Sequence, residues 1–433
     1  MRLEAKSPES TRRTHSQLSL QNVRTLALTA VGGALEYYDF IVAVFFTKLL
    51  AAVFFPPQTP TWAAQLSIFC IFAAGYLVRP IGGLFFAHYG DRLGRKKMFA
   101  LSLFVMVLPT FCVGILPGFN EIGVAAPLLL LVCRVLQGLS VGGQAPGAFV
   151  FASEHVRTDR VGFACGLVMS GICTGILLGA LTATLLNSVL SKEEMASWGW
   201  RIPFIAGGIA GFIAVYLRRF LRETPVFESL KTSTDNLSEL PLKVVLRDHL
   251  PTVILSMLGT WIFAGVFVVF FLYMPTYLQT QWHLDARAVF TANSWSILLL
   301  IVGSTCTGWL VDKVGWAKTF FWGNMATGVL VSVFFYQLAQ GSNSLNVYIA
   351  TGFFIGVITV VPYIMVTAFP PAVRFTGFSL SFNTAYAVFG GTAPAIMAAL
   401  VGAGAWLLAP LFYIGALSLM GMAIGMGWKK PSG

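Results

Sequence analysis

The chain has 433 residues, 57% of them apolar and only 10% charged, a composition that excludes an ordinary soluble domain and places it in a bilayer. Its formal charge of +11 does not point to nucleic acid, because the basic residues lie in short segments between apolar runs. Six cysteines without metal-ligand spacing and five histidines that do not cluster with carboxylates give no sign of a metal centre, a cofactor or an enzyme's nucleophile.

In chain order, a polar, basic segment at 1–24 leads into twelve apolar runs of spanning length, at about 25–54, 62–88, 98–116, 126–152, 161–190, 202–220, 250–278, 288–311, 319–339, 345–369, 376–401 and 405–428. This predicts an all-α membrane protein of twelve transmembrane helices. The longest polar stretch, 222–249, divides a half at 25–221 from a half at 250–428, and 429–433 forms a short tail. Of the Lys and Arg residues outside the runs, 22 fall on one side and only Lys192, Arg201 and Arg287 on the other. By the positive-inside rule both termini are cytoplasmic, in a cell inner membrane. Arg218, Arg95 and Arg374 are counted here among the cytoplasmic loop cations.

The first run carries Glu36 and Asp39. Charged groups near a bilayer centre cost a few kcal/mol or more and are kept where they face a watery cavity or a partner charge. Three residues apart, the two carboxylates share one helix face. Together with Gly32 and Ala43 this face reads as the cavity side of a transport helix, against the alternative of a pair that only holds helices together.

The second run places Arg79 on a stripe of small residues, Gly75, Gly83 and Ala87, that admits another helix closely. Arg79 is either a ligand for a substrate carboxylate or the structural partner of Glu36. A short turn follows, in which Asp91 is placed to accept from the next helix's N-terminal amides and Arg95 to bridge neighbouring helix ends.

In the fourth run Arg134, Gln137, Val141 and Gln144 recur at helical spacing and form one stripe. Arg134 needs an anion, and Asp39 is the natural partner. The fifth run has Gly171, Gly175 and Gly179 four apart, a close packing surface. The last six runs offer no charged interior side chain, leaving Tyr363, Asn383 and Tyr386 as polar lining candidates.

An internal repeat supports the division into halves. Gly82–Lys97 reads GGLFFAHYGDRLGRKK and Gly303–Lys318 reads GSTCTGWLVDKVGWAK, so that Asp91 and Asp312, Arg92 and Lys313, and Gly94 and Gly315 coincide 221 residues apart. Two six-helix halves related by a pseudo-two-fold along the membrane normal then hold a substrate site between them near mid-membrane.

The motifs GDRLGRKK, RVLQGLSVGG (134–143), ALEYYDF (34–40), WGWRIPF (198–204), RETPVF (222–227) and FPPAVRFTGFSLSFN (369–383), in this order, resemble the metabolite:proton symporters of the major facilitator superfamily. That family includes carriers for proline and betaine, 2-oxoglutarate, citrate and shikimate. The resemblance implies the major facilitator fold and symport of a small, carboxylate-bearing metabolite with protons, by alternating access and as a monomer. It implies proton coupling by Asp39 with Arg134, Glu36 being the rival carrier. The candidates for substrate contact, read from the residues themselves, are Arg79, Arg134, Gln137, Gln144, Tyr363, Asn383 and Tyr386. Gating falls to Asp91, Arg92, Gly94 and Arg95 with Asp312, Lys313 and Gly315. The chain departs from the pattern at Gln144, where the family commonly has glutamate, and at Trp316-Ala317, which replace arginines of the second loop. Ile176 stands where drug antiporters need proline, so symport is favoured over a drug:proton antiporter of the same fold or a sensor without flux.

Overall fold

The computed structural model describes residues 20–232, 240–342, 344–402 and 406–427. The two tails, apart from residues 20–24, and the middle of the central segment lie outside the described residues. Among the described residues, twelve helices are long and apolar enough to cross a membrane: α1 Arg24–Ala43, α2 Cys70–Leu93, α3 Arg95–Ile115, α4 Ala125–Glu154, α5 Thr158–Val189 and α6 Met195–Arg218, then α7 Leu250–Gln281, α8 Ala286–Val314, α9 Trp316–Ala339, α10 Leu345–Ala368, α11 Arg374–Val401 and α12 Ala409–Gly427. No strand occurs among the described residues. The first apolar run is longer than one span because a break at Phe46 separates α1 from a short helix, Thr47–Phe54, whose Phe54 packs edge-on against Trp200. The described parts of the central segment form two short helices, Pro225–Thr232 and Pro241–Asp248.

Lipid tails are as apolar as leucine, so helices in a bilayer associate through close packing rather than hydrophobic burial. Glycine supplies that closeness here. Gly171 and Gly175 of α5 lie against the backbone of Ala30 and Ala34 in α1, and Gly138 and Gly142 of α4 lie against Gly75 and Arg79 in α2. The small stripe around Arg79 therefore admits α4, as its spacing predicts. Large apolar side chains such as Ile81, Val132, Ile213, Trp322 and Leu419 are exposed on the outer surface, where a lipid tail covers them.

The two repeated turns are made alike. Gly94, between α2 and α3, has φ +115°, and Gly315, between α8 and α9, has φ +95°, a region that L side chains rarely adopt. Hydrogen bonds join the two halves from the end of the bundle that carries these turns up to the level of Ser170 and Asn383. The bundle is clamped at this basic end.

Candidate transport site and latch

Near the middle of the bundle, Glu36 and Tyr37 of α1, Tyr76 and Arg79 of α2 and Val141 of α4 meet Tyr386 of α11 across the boundary between the halves. They enclose about 10 Å³, room for roughly one water molecule. A wider helical turn at Tyr386–Gly390 interrupts α11 here, an irregularity frequent at functional sites. The Arg79 guanidinium lies 4.5 Å from the Tyr386 ring centroid and 5.8 Å from that of Tyr76. Its Nε and Nη2, like Glu36 Oε1, have no hydrogen-bond partner among the described residues. Arg79 and Glu36 thus share the cleft without an ion pair within 4 Å.

Asp39, one turn further along α1, is not in this cleft. It packs against Gly207 of α6 and lies beside Thr110 of α3 and Arg134 of α4, inside the first half. The expected Asp39–Arg134 ion pair is not closed: the two act on each other electrostatically, but Arg134 stacks over Phe72 at 4.7 Å, and its Nε and Nη2 and Asp39 Oδ1 have no hydrogen-bond partner among the described residues. The stripe on α4 also divides. Only Val141 reaches the cleft; Gln137 donates to Thr110 Oγ1 at 2.7 Å, and Gln144 Oε1 accepts from Arg218 Nη2 at 3.3 Å. The stripe turns inward because the glycines of α4 press its other face onto α2.

Of the polar candidates in the second half, Tyr386 alone lines the cleft. Asn383, one turn earlier, donates to Gly142 O at 2.7 Å and holds α11 onto α4. Tyr363 lies near the basic end, lining a separate pocket of about 510 Å³ with Glu154, Trp316 and Arg374.

The latch differs from expectation in its partner. Asp91 accepts from Thr376 N at 2.9 Å and Thr376 Oγ1 at 2.8 Å, at the start of α11 in the other half, and not from the N-terminal amides of α3. The N-terminus of α3 is capped by Glu223 of RETPVF, which accepts from Lys96 N at 3.1 Å. In the second copy Asp312 accepts from Gly162 N and Phe163 N, both at 2.7 Å, at the start of α5. Each aspartate thus holds the helix N-terminus of the opposite half, where exposed amides and the helix dipole favour a negative charge. Arg92 and Lys313 are exposed.

Sequence reasoning missed two residues. Glu154, at the end of α4, pairs with Arg95 of its own half and with Arg374 of the other at 2.8 Å, and Arg95 also donates to Asp91 and to Pro371 O. Glu154 is a lone acid closing an apolar run, the only signal that marked it. Arg218, assigned above to the loops, is buried in the first half and reaches Gln144 and Phe99 O. The second copy carries Trp316 where the first has Arg95, so this ionic bridge has no counterpart there.

Residues 29–394 match the Major Facilitator Superfamily. The chain is 31% identical over 405 residues to a putative proline/betaine transporter of Staphylococcus aureus (strain COL), covering 93% of this chain and 87% of the relative. It is 30% identical over 424 residues to the proline/betaine transporter of Salmonella typhimurium (strain LT2), covering 94% and 84%. Among solved structures, the proton:xylose symporter XylE bound to 6-bromo-6-deoxy-D-glucose superimposes with a TM-score of 0.76 at 16% identity, over 94% of each chain. A partially occluded inward-open form of XylE from E. coli gives 0.67 at 13% identity, over 96% of this chain and 99% of that one. At such identities the structural likeness concerns the fold alone.

Proposed function

The chain belongs to the Major Facilitator Superfamily and is a multi-pass membrane transporter, not an enzyme, and from that premise we propose that it imports a small carboxylate-bearing metabolite together with protons. The observation that carries the proposal is Arg79. A guanidinium buried at the boundary between two rocking halves, beside a carboxylate and three tyrosines, is the planar donor that recognises a carboxylate. Proline and betaine, the solutes in the relatives' names, each bear one. The protein sits in the inner membrane with its basic end cytoplasmic and acts as a monomer, since one chain supplies both walls of the cleft. Closed at that end, and with room for about one water in the cleft, this conformation holds the site shut toward the cytoplasm.

Asp39 and Arg134 serve the proton. Burial and a neighbouring cation act in opposite directions on a carboxyl group's proton affinity, so moving Arg134 toward or away from Asp39 switches it between proton uptake and release. Proton release charges Asp39 and draws Arg134 from its place over Phe72 toward it, which links proton binding to rearrangement of the first half.

Uptake into proteoliposomes under an imposed pH gradient, screened over proline, glycine betaine, 2-oxoglutarate, citrate and shikimate, tests the reading. One solute should accumulate above equilibrium and be released by a protonophore; accumulation indifferent to the gradient would end the proton claim. Asp39→Asn should keep exchange and lose accumulation, whereas Arg134→Ala should lose both. If Asp39→Asn still concentrates the solute and Glu36→Gln does not, the proton belongs to Glu36.

A further inference from the structure

The motif WGWRIPF at 198–204 lines neither the cleft nor the pocket at the basic end. It overlaps a wide helical turn, Met195–Gly199, at the start of α6 and at the end of the bundle opposite the clamp. Such turns are frequent at functional sites. Trp200 and Arg201 form one wall of a separate pocket of about 230 Å³ there. The short helix Thr47–Phe54 gives the second wall, and Asn120 and Glu121, in the connection between α3 and α4, give the third.

Arg201 is held in place. Its guanidinium stacks over Trp200 at 4.4 Å, donates through Nη1 to Ser197 O at 2.9 Å and through Nη2 to Leu116 O at 3.3 Å. A guanidinium has five N–H donors, so these two bonds leave others for a ligand. The Glu121 side chain lines the same pocket, yet among the described residues it makes no hydrogen bond and no ion pair within 4 Å. Trp200 is fully buried, and its indole Nε1 has no acceptor among the described residues. A buried N–H without an acceptor is rare in a folded protein and marks a place where a further oxygen belongs. A fixed cation and an anion thus line one pocket without closing on each other.

We propose that this pocket is a second solute site, which binds a small zwitterion of the α-amino acid or betaine class with its carboxylate on Arg201 and its ammonium group on Glu121. One carbon joins the two charged groups of such a solute, and the pocket is smaller than those that hold drug-sized ligands. A simple anion would meet the Glu121 carboxylate, and a simple cation would meet Arg201. A solute with both charges answers each. It also ties together the three walls, so that it acts on α6 and on the helix that continues α1 without entering the cleft. The site does not rest on the transport reading above, because a solute held here need not be the one carried.

The test is maleimide labelling of Ala196→Cys, at an exposed position on the pocket wall, in detergent-solubilised protein whose native cysteines are replaced. Glycine betaine and proline are the zwitterionic probes, and acetate and tetramethylammonium carry one charge each. Each zwitterion should slow labelling saturably, about tenfold at about ten times its dissociation constant, and the singly charged probes should slow it far less. Folded Arg79→Gln, which lacks the cation of the cleft, should keep this protection, whereas Glu121→Gln, at an exposed side chain, should lose it. Labelling that neither zwitterion slows at any concentration up to molar overturns the site. Protection by acetate or tetramethylammonium equal to that by glycine betaine overturns the zwitterion class. Protection lost in Arg79→Gln assigns the effect to the cleft, and protection kept in Glu121→Gln removes the charge recognition; either result overturns the proposal. Labelling in detergent is independent of flux, so a protein that carries none of the solutes tested above still gives one of these outcomes.

Discussion

Replacing Glu154 by glutamine keeps the shape of the side chain and removes the charge that joins the halves at the basic end. In the clamped state its carboxylate is 1% exposed and bound by Arg95 and Arg374, so the variant leaves two guanidiniums facing a neutral amide. Breaking a buried pair by removing one partner costs about 3–5 kcal/mol, and the 16% exposure of Arg374 lowers this to roughly 2–3 kcal/mol. The Arg374 share of the penalty belongs to the clamped state, because Arg374 lies in the other half and leaves Glu154 once the halves part, whereas Arg95 stays beside it in both states. The equilibrium should therefore move toward the basic-end-open form by about 30- to 150-fold. The assay is the labelling rate of a cysteine at Ser153, buried beside Glu154 in the pocket at this end, in a background with the native cysteines replaced. Glu154→Gln should accelerate maleimide labelling by about tenfold or more and slow net uptake. A well-folded variant labelled at the unaltered rate would refute the clamp.

Asp91→Asn weakens two charge-assisted bonds to Thr376 and should shift the same equilibrium by about 1.5–3 kcal/mol, read from the same Ser153 labelling; Asp312→Asn, with its two amide contacts, should behave alike. Wild-type labelling in both would remove the latch role of the aspartates. Gly175→Ala places a methyl group against the backbone of Ala34 and should lower the thermal midpoint clearly, by about 2 kcal/mol or more, whereas Gly391→Ala, with open space around it, should change little. Equal midpoints for the two would show that α1 and α5 do not depend on that contact. For sidedness, cysteines replacing the exposed Arg92 and Lys313 should resist an impermeant maleimide added to intact cells and react after permeabilisation. Labelling in intact cells would invert the proposed orientation.

The architecture was legible because its signals are local. Span length and the repeated Asp-x-x-Gly turns each depend on a few adjacent residues, and the helix face shared by Gly75, Arg79 and Gly83 follows from the period of the helix alone. The partners of the site residues were less legible. The stripe Arg134–Gln137–Val141–Gln144 was correctly one face, yet helical spacing does not say which neighbours that face meets. The positions of α2, α3 and α6 sent Gln137 to Thr110, Gln144 to Arg218 and only Val141 to the cleft.

Two long side chains mark the boundary most clearly. Arg218 and Arg95 read as loop cations because their Cα atoms stand at helix ends, but a guanidinium extends far enough to place its charge inside the bundle. Asp91 likewise revealed itself as a helix-capping acid, while the helix it caps is 285 residues away in the other half. The sequence by itself determined how many helices cross, the repeat that relates the halves and the buried charge of Glu36, Asp39, Arg79 and Arg134 in mid-span, because hydration energy acts on each residue where it stands. Only the tertiary structure decided which charge answers which, because a pair energy depends on a distance between helices that no spacing along one helix contains.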